Sequence, residues 1–310
     1  MDCDALGALP VTAQSYALTD VGYTDAAATA LSGTPTAAER NIDLRTDESN
    51  ELSADLYWNI AIPASGVKGA CVGSNTIAIV AQAGGGSGLP AIAPAVVLHY
   101  KPDALIAGTL TNWNDESVNA AHVQPVAGFT APTVVANVLN GLPVVRLSSS
   151  MMSNNNDNGP LLAFKQVFVV AKYSKGSNFT DYDGLFTGNS SSLHDTVFIG
   201  ASGGTTYYRD STTDLWTAPR YTDGVLQDLA PMNRFGISSV SISGGWTGFH
   251  PRFGMDRTTV RHWGGDIAEL IAYDAVLTDT ERQKIEGYLA HKYGLQSTLP
   301  AGHPYKTVAP

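Results

Sequence analysis

Residues Gly264 to Gly294 constrain this chain more than any other stretch, because they read as a strand, a turn and a capped helix in immediate succession. In the strand, Ile267, Glu269, Ile271 and Tyr273 alternate with Ala268, Leu270 and Ala272, which leaves one fully apolar face for a sheet interior. Thr278 stands three residues before Glu281, the spacing at which the two side chains satisfy each other's free backbone N–H groups, with Leu277 as a hydrophobic staple. Ile285, Tyr288, Leu289 and Lys292 follow at helical spacing, and Gly294 supplies a left-handed stop. One short helix beside many short apolar runs predicts an all-β protein with that helix docked on it.

Two upstream stretches belong with the first. Leu110 to Ser117 contains Trp113, Asp115 and Ser117 at alternate positions, and Pro132 to Leu147 contains Asn137, Asn140-Gly141 and Arg146. Asn-Gly between apolar runs is a strong hairpin signal. Taken in order with Gly264–Gly294 and the tail Leu299-Pro300-Ala301-Gly302-His303-Pro304-Tyr305, these motifs resemble the concanavalin A-like lectin/glucanase (LamG-like, jelly-roll) domains of the phage and bacterial type. The resemblance runs from Val96 to Gln296 and implies a β-sandwich closed by one C-terminal helix. It leaves the ligand open, because fold does not fix function.

Other segments fill in the sandwich. Val167 to Ala171 is a continuous apolar run of the kind buried on both faces, and further strands are expected at Gly184–Thr187, Thr196–Ile199, Thr205–Arg209 and Asn233–Ile242. Before Gln82, Leu56, Trp58, Ile60 and Ile62 share one face, and Thr76 to Val80 reads as another strand, a pattern that resembles bacterial Ig-like modules. The glycines at 84–86 and 88 and the prolines at 90 and 94 make a connector. The expected organisation is a small β module over 1–82, a linker over 83–95 and a concanavalin A-like domain over 96–310.

Charge narrows the partners. A net charge of −10 without a basic cluster argues against nucleic acid and against an anionic membrane. Met1 to Gly7 begins with acid where a secretion signal carries positive charge. For Cys3 and Cys71, two reduced thiols are the expectation in a protein assembled in a cytoplasm.

Candidate chemistry is sparse. Retaining glucanases of this superfamily place two Glu in an E-x-D-x-x-E strand, whereas here Glu269 has no partner at that spacing. The histidines show no metal-binding spacing, and His291 and His303 read as packing or surface residues. Asp181 and Asp183, with the Asn154 to Asn158 loop, offer oxygen ligands suited to a structural calcium, or simply hydrogen-bonded turns. Tyr207, Trp216, Trp246 and Trp263 are the candidates for a sugar-stacking platform, against a plain core role. Tyr207-Tyr208 straddles two faces of a strand, so at most one of the pair points outward.

These readings lead to an expected non-enzymatic virion component of a tailed phage: a homo-oligomer attached to capsid or tail that displays a lectin-like domain to host polysaccharide. The alternative is an extracellular or cell-surface carbohydrate-binding protein, with a glycoside hydrolase behind it. On either reading Glu269→Gln is expected to leave the fold intact.

Overall fold

The computed structural model describes residues 2–17, 28–30, 57–72, 89–154, 158–189 and 195–310. The chain divides into two compact units, Met1–Ser87 and Gly88–Pro310. Both are built from strands, and among the described residues Asp279–Lys292 is the one α-helix.

In the first unit Gln14–Ala17 lies between Thr29–Ala30 and Tyr57–Ile60, and Asp2–Cys3 pairs separately with Cys71–Val72. Cys3 stands opposite Cys71 in that ladder, and the two are joined as a disulfide. The expectation of two reduced thiols is therefore corrected. Antiparallel pairing brings the two backbones together, and the bridge closes a loop whose ends are 68 residues apart. Trp58 and Ile60 alternate on the exposed face of Tyr57–Ile60, Ile62 lies beyond the strand and is exposed, and Leu56 lies outside the described residues. The strand expected at 76–80 and the glycine-rich connector at 84–88 lie outside the described residues.

The second unit has three layers. Its nine-stranded sheet runs Val225–Leu226, Arg220–Thr222, Gly236–Phe249, Leu162–Tyr173, Gly264–Tyr273, Leu142–Ser148, Thr133–Leu139, Gly108–Thr109, with Val96–Tyr100 also paired to Gly264–Tyr273. A five-stranded sheet of Phe198–Ile199, Gly184–Thr187, Arg252–Phe253, Met152–Asn154 and Val123–Pro125 packs on one side of it. Trp113, Phe164, Phe186, Trp246, Phe253 and Trp263 fill the space between the sheets. The helix covers the other side, where Ile285 and Leu289 meet Phe168, Val170 and Ile271. A sheet covered on both faces explains the unbroken apolar run at Val167–Ala171: odd positions enter the inter-sheet core and even positions meet the helix.

Strict alternation fails at one point in Gly264–Tyr273. Val170 pairs with Glu269 but Ala171 pairs with Ile267, so Ala268 is an extra residue, a β-bulge. Ile267 faces the inter-sheet core, while Ala268 and Glu269 both serve the helix side. The expectation that Ile267 and Glu269 share a face is corrected by that one inserted residue.

The helix begins as its sequence predicts. The Thr278 hydroxyl accepts from the Glu281 N–H at 3.3 Å, and the Glu281 carboxylate accepts from the Thr278 N–H at 2.9 Å. Its end is completed by the hairpin: Asn140, at φ 51° beside Gly141 at φ 77°, donates its side-chain N–H to the Lys292 carbonyl at 2.9 Å. Asn140→Ala should cost about 1–2 kcal/mol, since it removes a hydrogen bond and leaves a Cβ residue without local compensation in the left-handed region. Asn140→Gly should cost less, having lost only the bond. Urea unfolding of the two variants checks the order, and equal costs would remove the backbone part of the argument.

The tail packs back on the helix. A methyl group on Gly287 would come within 2.4 Å of Tyr305 Cβ, and His303 Nε2 lies 3.2 Å from the buried carboxylate of Glu286.

Candidate functional site

The motif residues turn out to be occupied in holding the second unit together. Asp115 accepts hydrogen bonds from the His99, Ser117 and Ala121 N–H groups and from the Ser117 hydroxyl. Trp113 donates its indole N–H to the Lys101 carbonyl. Arg146 and Lys172 flank Asp266 from the two neighbouring strands, at 2.6 and 2.8 Å. Glu269 is wholly buried, with Lys292 Nζ at 2.8 Å, His99 Nε2 at 2.8 Å, and hydroxyl donors from Tyr293 at 2.8 Å and Tyr288 at 3.2 Å. Burial pushes its carboxyl up, and the His99 hydrogen bond together with the Lys292 ammonium outweighs burial and brings it to about 2. A carboxylate so deeply ionised and so fully bonded is a latch between sheet and helix.

The candidate site lies elsewhere, on the loop between the short strand at the edge of the five-stranded sheet and Arg220–Thr222. Tyr208 continues that edge, its N–H donating to the Ile199 carbonyl at 2.7 Å, while Tyr207 turns inward to pack on Phe198. Arg209 then braces the loop. Its Nε and Nη2 donate to the two oxygens of Asp228, each at 2.7 Å, and its Nη1 donates to the carbonyls of Leu215, Trp216 and Ala218 at 3.2, 2.9 and 2.7 Å. Asp210 tightens the next turn by accepting from the Thr212 hydroxyl and from the Thr212 N–H at 2.7 Å, and the hydroxyl bond first, with the N–H bond, holds its carboxyl below the usual range despite burial.

This bracing fixes the backbone of Asp214–Trp216, a single 3-10 turn, yet leaves Trp216 55% exposed. Asp214 is also exposed, and its carboxylate lies over the bare backbone of Gly244, 3.1 Å from where a Cβ would stand. At the base of the loop Tyr208 meets Tyr182 edge to face with centroids 5.1 Å apart, and the Arg261 guanidinium lies 4.9 Å over the Tyr182 ring. An exposed indole and an exposed carboxylate two residues apart on a braced backbone can meet a flat, partly apolar, hydroxyl-bearing molecule without ordering the loop first.

Of the residues expected to form a stacking platform, Trp216 alone offers a free ring face. Trp246 and Trp263 are 0% exposed and Tyr207 is 3% exposed, all three in the inter-sheet core. That placement corrects their assignment: a ring packed on Phe164, as Trp246 is, or on Tyr173 and Phe179, as Trp263 is, has no side left for a sugar. Tyr208, the other member of the pair, is half-buried with its ring edge to face with Tyr182.

Asp183 is also spent. One oxygen accepts from the Tyr173 hydroxyl at 2.6 Å and from the Thr180 N–H and hydroxyl, and the other accepts from Lys175 Nζ at 2.8 Å. Asp181 accepts from the Tyr182 N–H and faces Arg261 at 3.3 Å. Of the two readings, the hydrogen-bonded turn is the one these partners describe. Among the described residues no three His, Cys, Asp or Glu side chains come together as a metal site.

Arg209 and Asp228 had no sequence signal beyond an arginine next to two aromatic residues. Their partners are mostly carbonyls, which every residue has, so the brace is invisible until the loop is folded.

No protein-family model matches the chain, and no curated protein does. Among solved structures, a mutant GH54 α-L-arabinofuranosidase soaked with 4-nitrophenyl α-L-arabinofuranoside aligns at 11% identity and a TM-score of 0.42, covering 64% of this chain and 60% of that one. An arabinofuranosidase complexed with arabinofuranosyl-α-1,2-xylobiose aligns over the same shares at a TM-score of 0.41. The alignments thus span 60% of the length of those chains. These findings correct the expectation of a non-enzymatic virion component: the structures found are carbohydrate-active enzymes, and the virion, capsid and tail assignments find no support. At this distance the likeness transfers no activity to the present chain.

Proposed function

We propose that this chain is a carbohydrate-active protein working outside the cell, and that it holds saccharide against the braced loop 208–218. The observation that carries the reading is Trp216, left exposed on a loop whose Leu215, Trp216 and Ala218 carbonyls are tied to Arg209. Sugar rings present an apolar face to such a ring and a hydroxyl edge to polar groups, and the same turn carries the exposed Asp214 carboxylate. Two further points support it. The Cys3–Cys71 disulfide suits an oxidising compartment, and the motifs from Val96 to Gln296 resemble those of concanavalin A-like lectin and glucanase domains.

Affinity electrophoresis and calorimetry against soluble polysaccharides, arabinoxylan among them, test binding, and reducing-sugar release from the same polymers tests turnover. Trp216→Ala should fold normally and bind roughly tenfold more weakly, a difference of about 1.4 kcal/mol. Hydrolysis would need two carboxyl groups flanking one bond, of which Asp214 is the exposed one on this loop, so Asp214→Asn should lower any release. Binding or release untouched by both substitutions would place the site elsewhere, and neither binding nor release by the wild type would end the carbohydrate reading.

A further inference from the structure

We propose that the Cys3–Cys71 bridge is a redox clasp on the first unit alone. Closed, it holds that unit folded, and a dithiol that reduces it opens the unit while the second unit keeps its fold.

The bridge encloses one unit and not the other. The strands Gln14–Ala17, Thr29–Ala30 and Tyr57–Ile60 lie in the loop between Cys3 and Cys71, while the second unit begins beyond it, at Gly88, and has no cysteine of its own. A cross-link restricts the unfolded chain only within the loop it closes, so this one stabilises the first unit and leaves the second unaffected. The contacts beside it are of a kind that water replaces. The Asp4 N–H donates to the Ala70 carbonyl at 3.0 Å, the Ala70 N–H donates to Asp4 Oδ1 at 2.9 Å, and the Lys68 and Leu6 N–H groups donate to each other's carbonyls at 2.9 and 3.1 Å. Within 2–8 and 66–72 no apolar side chain is buried, and Leu6 and Val72 are exposed. Exposed backbone bonds gain little over bonds to water, and ordering the residues that make them costs entropy. The two segments nonetheless fit closely. A Cβ on Gly7 would come 2.0 Å from the Gly66 carbonyl oxygen and one on Gly69 1.9 Å from Asp4 Oδ1, a fit that sets Cys3 opposite Cys71 when the segments pair. Both cysteines are half-buried, and Cys71 lines an open groove with Leu9, Ile60 and Ile62, so a small dithiol reaches the bridge. Its thiolate attacks one sulfur and the other leaves as a thiolate, after which the second thiol displaces the mixed disulfide. Two electrons and two protons pass from the dithiol to Cys3 and Cys71, and the dithiol ends as a disulfide.

The experiment uses the full chain purified without reductant, the same chain in dithiothreitol, and the double variant Cys3→Ser, Cys71→Ser. Amide hydrogen exchange is read by mass spectrometry, with thiol alkylation reporting the state of the bridge. Peptides covering Gln14–Ala17 and Tyr57–Ile60 should be protected in the oxidised chain and should lose protection by roughly a hundredfold or more on reduction and in the double variant. Peptides covering Gly236–Phe249 and Gly264–Tyr273 should exchange alike in all three samples, and reoxidation with oxidised glutathione should restore the first unit. First-unit protection that survives reduction, proven by alkylation of both cysteines, would overturn the proposal. So would a loss shared by the second unit, a failure to regain protection on reoxidation, or a bridge that is missing from the purified chain or untouched by dithiothreitol under native conditions.

Discussion

Glu269→Gln should destabilise the larger unit by about 3–5 kcal/mol, because it leaves the buried Lys292 ammonium facing a neutral amide in a site closed to water. For a unit of this size that is a fall in Tm of roughly 6–20 °C. The Asp103 carboxylate, 2.6 Å from Lys292 Nζ, still holds one side of the ammonium, which favours the lower end. The pH dependence distinguishes loss of the latch from any generic packing defect. The Glu269 carboxyl sits at about 2 in the folded chain, below its ordinary 4.5. Its contribution is thus fully present above about 4.5 and is lost as pH falls from there through about 2. Wild type should show that acid limb in thermal melts from pH 6 to pH 2, and Glu269→Gln should lack its Glu269 share. A substitution that leaves both Tm and the acid limb unchanged would show that the carboxylate is not what joins sheet to helix.

Leu289→Ala should cost about 2–5 kcal/mol through the cavity it opens between the helix and the nine-stranded sheet. Leu289 is fully buried there with Phe168, Ile271 and Ile285, and the sheet behind it is fixed by its own ladder, so little can move in to fill the space. Leu289→Met, which conserves volume, should stay below about 1.5 kcal/mol. Both are read from the urea midpoint of the larger unit. Equal midpoints for wild type and Leu289→Ala would detach the helix from the core.

Local signals in the sequence led to correct elements where they were complete within a few residues. The Thr278 and Glu281 cap, the Asn140-Gly141 turn and the strand Gly184–Thr187 need no distant partner to be recognised. The face of Glu269 was misread because a bulge shows only in the register with Leu162–Tyr173, and nothing in Ile267-Ala268-Glu269 marks it. Aromatic site residues were misread for a related reason: Trp246, Trp263 and Trp216 are chemically alike, and what separates them is which side of a folded sheet they reach. The brace on Trp216 was out of reach altogether, since it is made by one arginine and backbone oxygens. Glu269→Gln, expected to be silent when Glu269 looked like an isolated acid, becomes costly once His99, 170 residues away, is seen at 2.8 Å.

The strand Gly264–Tyr273 comes last in the chain and stands in the middle of the nine-stranded sheet, with Leu162–Tyr173 along one edge and Leu142–Ser148 and Val96–Tyr100 sharing the other. During synthesis the two halves of that sheet therefore exist with an empty slot between them, their unpaired N–H and C=O groups and the apolar side chains of Phe168 and Val170 uncovered. Local hairpins can form early, but the pairings that join them, from Tyr173 with Gly265 to Val96 with Tyr273, are far apart in sequence and await the final segment. A chain cut before Gly264 will not be a slightly shorter version of the fold but an open, self-associating one, whereas a cut after Tyr273 removes a cover from a sheet that is already complete.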